Sequence, residues 1–122
     1  MKTKVLRVAI APRDVVMRYT KDIVAGRRRR LPDDPDIWFS SVESFAKVLS
    51  EKNRALLALV ADKHPDSIDA LAAISGRAKS NLSRTLRTME RYGLVRLEKG
   101  EGRKLKPVVT FARVELSLKV AA

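Results

Sequence analysis

Ser67-Ile-Asp-Ala-Leu-Ala-Ala-Ile-Ser-Gly76, then Arg77, then Ala78-Lys-Ser-Asn-Leu-Ser-Arg-Thr-Leu-Arg-Thr-Met-Glu-Arg-Tyr92 and Gly93 carry two apolar series at helical spacing, each closed by a glycine. Ile68, Leu71, Ala72 and Ile74 recur at helical spacing behind a capping residue, Asp66 or Ser67, and Gly76 stops the run. A second helix is expected from about Ala78 to Tyr92, with Leu82, Leu86 and Met89 inward and Gly93 as its stop. The connection is tight, Ser75-Gly76-Arg77. After Gly93 the hydrophobic period falls from 3.6 to 2. Leu94-Val-Arg-Leu-Glu98, a Gly100-Glu-Gly102 turn and Leu105-Lys-Pro-Val-Val-Thr-Phe111 predict a two-stranded hairpin.

Upstream, Val42, Phe45, Ala46, Val48 and Leu49 predict a short amphipathic helix starting near Ser41, with Glu43 and Ser44 in its first turn. Leu56, Leu57, Leu59 and Val60 predict another, ending before His64-Pro65. Helices followed by a hairpin make a winged helix-turn-helix over residues 37–112, so the fold class is α+β and mostly α. Residues 1–36 read as an appendage. Val5-Leu-Arg-Val-Ala-Ile10 is a strand, Pro12 suits a first helical turn, and Val15, Val16, Tyr19 and Ile23 recur at helical spacing until Gly26. The basic run Arg27 to Arg30 and the stretch Leu31-Pro-Asp-Asp-Pro-Asp36 form a linker. A lone helix with one apolar stripe cannot fold alone, so the appendage must pack on the main domain or on a second subunit. Residues 113–122 read as an edge strand, because Val114, Leu116, Leu118 and Val120 alternate cleanly. That strand is a dimer or partner seam in expectation.

Composition removes several chemistries. The chain has no Cys and one His, which excludes thiolate zinc sites, disulfide scaffolds, thiol nucleophiles and multi-histidine metal sites. No cofactor or metal is expected. Strand-turn-helix nucleophile elbows and glycine-rich phosphate loops are absent from the sequence, so an enzyme is not expected. The N-terminal segment does not read as a signal peptide and no run is apolar enough for a membrane span, so the expected location is the cytoplasm, with no membrane partner. What remains is charge: 26 Lys plus Arg against 14 Asp plus Glu, a net +12. A basic protein of this kind most often meets a polyanion.

The charge has an arrangement. With Leu82, Leu86 and Met89 inward, the opposite side of the 78–92 helix carries Lys79, Ser80, Ser83, Arg84 and Arg87, and no acid occurs between Arg77 and Met89. Ser80, Ser83, Arg84 and Arg87 follow i, i+3, i+4, i+7, a single stripe. Such a stripe is often only a solvated face. Its residue types also suit DNA, because Arg reaches guanine edges or phosphates while Ser and Asn position or read.

Three segments, Ser67 to Gly76, Ser80-Asn-Leu-Ser-Arg-Thr-Leu86 and Glu90-Arg-Tyr-Gly-Leu-Val-Arg96, resemble the winged-helix transcriptional regulators of the MarR and ArsR type. The likeness is closest to a small MarR-like subgroup with a strand and helix before a Phe-Ser-Ser-like entry, here Phe39-Ser-Ser41. The resemblance implies a homodimer on double-stranded DNA, with Arg77, Lys79, Ser80, Asn81, Ser83 and Arg84 at or near the major groove. Arg87 would then lie by a flanking phosphate, and Arg103, Lys104 and Lys106 would form a basic wing. Small regulators of this kind are in some cases the antitoxin partner of a toxin, so a protein partner of that sort is implied too. One residue departs from the pattern: many relatives place a Ser or Thr cap where this chain has Ala78.

Other readings stand beside this one: an RNA-binding winged helix, or a protein–protein module whose basic face is incidental. Arg27, Arg28, Arg29 and Arg30 read as a minor-groove arm, as a solvated linker, or as a segment that folds on an acidic partner. His64 reads as a surface turn residue, and Trp38 and Phe39 as a lid on the core of the main domain.

Overall fold

A computed structural model describes residues 4–120. They form an α+β chain with five helices and two small sheets. The chain divides into two units, residues 1–47 with 111–122, and residues 48–110.

The first unit begins with strand β1 (Val5–Ile10), helix α1 (Arg13–Val24) and strand β2 (Ile37–Phe39). Helix α2 (Val42–Val48) follows and runs to the boundary; strand β5 (Arg113–Ser117) returns to the unit from the far end of the sequence. The sheet order is β2-β1-β5 and both pairings are parallel. Register fixes the faces. Leu6 lies opposite Val114, Val8 opposite both Leu116 and Ile37, and Ile10 opposite Phe39, so these residues share one face. Leu6, Val8, Ile37 and Phe39 are buried, and Phe39 meets Phe45 of α2 edge to face at 5.5 Å between centroids. On the other face Arg7 lies opposite Glu115 and Ala9 opposite Trp38, whose ring packs on Tyr19 of α1 at 5.4 Å.

This arrangement corrects the sequence-based division. The boundary expected at Ile37 falls at Lys47 instead, because β2 hydrogen-bonds to β1 and belongs to the N-terminal sheet. Trp38 and Phe39 therefore serve that sheet, not the core of the helical domain. The strand expected over 113–122 is paired over Arg113–Ser117 and is an edge, as its alternation suggested, but an edge of the β1 sheet. The appendage thus has its own strands to pack on.

The second unit holds α3 (Glu51–Lys63), α4 (Ile68–Ser75) and α5 (Lys79–Tyr92), then an antiparallel hairpin of β3 (Arg96–Lys99) and β4 (Leu105–Val108). Ser50 and Ser67 cap the first two helices; their hydroxyls accept from the N–H groups of Asn53 at 3.2 Å and Ala70 at 3.0 Å. Ser67, not Asp66, is the cap of α4. Each helix ends in a left-handed residue: His64 (φ 49°), Gly76 (φ 72°) and Gly93 (φ 83°). Leu56, Leu57, Val60, Ile68, Leu71, Leu82, Leu86, Met89, Leu94 and Val95 are buried. They are the residues at helical spacing and just past Gly93, where the chain enters the hairpin.

Candidate nucleic-acid interface

Helix α5 sets the site because its buried stripe leaves three kinds of surface. Leu82, Leu86 and Met89 are fully buried, which turns Ser80, Arg84 and Arg87 to solvent. On one flank Lys79, Ser83 and Arg87 face the hairpin turn. On the other flank Asn81 and Thr85 run along the helix one turn apart.

The hairpin side is a groove of about 470 Å³ between the start of α4, the flank of α5 and the turn joining β3 to β4. Its lining includes Ser67, Asp69, Lys79, Ser83, Arg87, Arg103 and Lys104, so four cations meet two acids, Asp69 and Glu101. Lys79 Nζ lies 3.0 Å from Asp69 Oδ1, and both side chains stay largely exposed. Such a pair contributes at most about 1 kcal/mol. Arg84, Arg87, Arg103, Lys104 and Lys106 make no ion pair among the described residues. The hairpin turn is shaped by Gly102, whose φ of 64° a side chain would strain, and is closed by Gly100 N–H donating to the Lys104 carbonyl at 2.9 Å. Lys106 sits on β4 opposite Glu98, which is already engaged by Arg96 at 3.0 Å.

The other flank is occupied from within. Arg77 donates through Nε and Nη2 to Asn81 Oδ1 at 3.1 and 2.7 Å, and reaches Asn53 Oδ1 and Thr85 Oγ1 at 3.4 Å each. Asn53 in turn donates to the Val48 carbonyl at 3.0 Å. This chain of bonds ties the start of α5 to α3. The structure therefore separates the expected contact set: Lys79, Ser83, Arg87, Arg103 and Lys104 line one groove, Ser80 and Arg84 lie on the adjoining outward face, and Arg77 and Asn81 bond to each other. Asp69, Asn53 and Thr85 were not in that set. Asn81 and Thr85 stand four residues apart on α5, a spacing from which their alignment on one helical line could have been read, whereas Arg77 precedes the extended N-cap Ala78 and lies off that line.

Ala78 precedes α5 with φ −63° and ψ 140° and offers no side-chain acceptor, and the first turn contains no acid. The cap left open by the sequence is absent. The first N–H groups of α5 therefore keep their positive end free, beside Arg77 and Lys79.

In the first unit the Arg27–Arg30 run is largely matched by acids. Arg27 pairs with Asp22 at 3.1 Å, Arg28 with Asp34 at 3.5 Å, and Arg30 with Asp36. Asp34 also accepts from Leu31 N–H at 2.8 Å and from the Tyr19 hydroxyl at 3.2 Å, while the Arg28 guanidinium stands 4.6 Å from the Tyr19 ring centre. The Leu31 N–H, chiefly, holds the Asp34 carboxyl below its usual range; the Tyr19 phenol is pushed up, first by burial and then by Asp34. Asp36 accepts from Arg7 N–H at 2.9 Å, which fixes the approach to β2. Of the four arginines only Arg29 lacks an acidic partner among the described residues, so the run does not present a free cationic arm.

A family model, HVO_A0114, matches residues 48–116, more than half of the chain. No curated protein and no solved structure matches it.

Proposed function

The chain belongs to the HVO_A0114 family, and from the geometry of that matched segment we propose that it is a double-stranded DNA-binding transcriptional regulator of winged helix-turn-helix type. In this reading α5 is the recognition helix in the major groove and the β3–β4 hairpin is the wing on the flanking backbone or minor groove. The observation that carries it is the convergence of α5 and the hairpin turn on one cationic groove, with Ser80, Arg84 and Arg87 exposed beside it. The open N-terminus of α5 supports the same reading, since unsatisfied N–H groups and a positive helix end favour phosphate. Arg77 and Asn81 take a supporting part here: they hold the start of α5 on α3 while Arg84 does the reading and Arg87 meets a flanking phosphate. Lys79 exchanges Asp69 for a phosphate. The MarR/ArsR likeness belongs to this proposal as well.

The experiment is a salt titration of binding to the protein's own upstream DNA and to structured RNA. Binding to duplex should weaken by orders of magnitude between about 50 and 200 mM salt if some 6–10 phosphates are contacted. Arg84→Ala combined with Arg87→Ala should abolish sequence preference, whereas Arg103→Ala should weaken binding to all sequences alike and lower the salt slope by about 1. A shallow slope that survives the double substitution refutes the reading; tighter binding to RNA replaces it with the RNA-binding one.

A further inference from the structure

Strand β5 lies at the edge of its sheet, bonded to β1 on one side and to no strand on the other among the described residues. Its alternation does not stop where pairing stops. Ser117 is the last residue matched to β1, yet Leu118 and Val120 continue the apolar series of Val114 and Leu116, with 50% and 98% of their surfaces exposed. An exposed edge that continues into two uncovered apolar residues invites another strand.

We propose that this edge is a dimer seam, in which β5 and residues 118–120 pair antiparallel with the same segment of a second copy about a two-fold axis at Ser117. The register follows from complementarity. With Ser117 opposite its own copy, Leu116 faces the partner's Leu118, Val114 faces the partner's Val120, and Glu115 faces the partner's Lys119. Every apolar side chain meets an apolar one, and each acid meets a base. Lys119 has no ion pair among the described residues, and Glu115, which touches Arg7 at 3.3 Å and Arg113 at 2.9 Å, keeps 42% of its side chain exposed. An axis at Leu118 keeps Leu116 against the partner's Val120 but sets Ser117, not Glu115, against the partner's Lys119, and one at Lys119 opposes two lysines; the registers on the other side fail as well. An axis at Leu116 sets Arg113 against the partner's Lys119, and one at Glu115 sets two carboxylates face to face. An axis at Val114 leaves Leu118 and Val120 unmatched. Shifting by half a step puts apolar residues opposite polar ones. The chosen register closes on itself as an isologous contact and joins two three-stranded sheets into one of six, with no new edge at the seam.

The seam does not depend on the duplex reading, and its test does not use DNA. Sedimentation of the full chain should show a dimer. The protein has no cysteine, so Ser117→Cys and Arg113→Cys report the register directly under mild oxidation. Opposed residues in an antiparallel pair are about 4.5–5.5 Å apart between Cα atoms, within disulfide reach. The two copies of residue 113 would be offset by eight positions, about 27 Å. Ser117→Cys should become a covalent dimer and Arg113→Cys should not. Lys119→Glu, remote from the core, should weaken dimerisation about tenfold by facing Glu115 with a like charge. A monomer, equal cross-linking at both positions, or an unchanged Lys119→Glu dimer overturns the proposal. A cross-linked dimer that ignores DNA would refute the duplex reading alone.

Discussion

Replacing Ala78 separates the stability of α5 from its proposed task. The residue stands at the N-cap with φ −63° and ψ 140°, close to the φ −61° and ψ 162° of Ser50, which makes its capping bond. A hydroxyl at residue 78 could therefore accept the Asn81 N–H as Ser50 and Ser67 accept theirs. Ala78→Ser should stabilise the protein by about 1 kcal/mol, within a range of roughly 0.5–2. For a cooperative unit the size of residues 48–110 that raises Tm by about 4–8 °C. Ala78→Asp adds attraction to the helix dipole, a further 0.3–1 kcal/mol or so. Its carboxylate, however, would stand where the reading places phosphate. One charge about 6 Å from a phosphate costs about 1–3 kcal/mol at an effective dielectric of 20–80, enough for about tenfold weaker binding. Thermal melting and duplex binding at fixed salt, measured on both variants, give the answer. The Ser variant should melt higher and bind nearly as before; the Asp variant should melt higher and bind worse. If Ser brings no gain, the helix end is already satisfied. If Asp stabilises without weakening binding, the N-terminus of α5 does not face the DNA.

Three further substitutions probe separate parts of the chain. Leu86→Ala removes a fully buried side chain from the stripe that orients α5 and should cost about 2–5 kcal/mol in urea unfolding. Arg77→Ala breaks the bonds to Asn81, Asn53 and Thr85; it should cost about 1–3 kcal/mol of stability while changing the salt slope of binding less than Arg103→Ala does. Asp34→Asn addresses acid stability. Because the folded carboxyl is held below its ordinary value near 3.9, its contribution is complete above about pH 4 and is lost as pH falls through the lowered pKa. The variant should flatten the acid limb of the stability curve, and an unchanged limb would remove Asp34 as its source.

The helical unit was legible because its signals are local. Leu82, Leu86 and Met89 repeat at the helical period, Gly76 and Gly93 supply left-handed stops, and Ser67 caps three residues before the N–H it satisfies. The sheet of the other unit was not legible, because its pairings are remote. Arg7 meets Glu115 across 108 positions, and no residue near either one announces the other. β2 has three residues, too few to show a period. A strand, a helix and a second strand were nevertheless present in order from Val5 to Phe39, the usual sequence of a parallel unit. Ile37-Trp-Phe39 is apolar at every position, so it reads as readily as the entry to the helical domain.

The same contrast explains the charge. A basic run appears cationic when it is counted alone, but Arg28 and Arg30 each meet an aspartate six positions later and Arg27 meets Asp22. The stretch turns back at Pro32-Asp33, where the Asp34 N–H donates to the Leu31 carbonyl at 3.0 Å, so the acids return to the arginines that precede them. On α5 no such return exists: the thirteen residues from Arg77 to Met89 contain no acid, and the acids near the groove, Asp69 and Glu101, come from other elements. Sequence alone could place the cations of α5 on one face. It could not tell that Arg77 turns back onto Asn81, because a side chain at a helix start reaches outward or inward according to what the neighbouring helix offers. Here α3 offers Asn53, an amide already anchored on the Val48 carbonyl. What distinguishes the cations of α5 and the hairpin turn is therefore not their number but their placement: Arg84, Arg87, Arg103 and Lys104 carry no ion pair among the described residues, and Arg87, Arg103 and Lys104 line one groove with Arg84 exposed beside it.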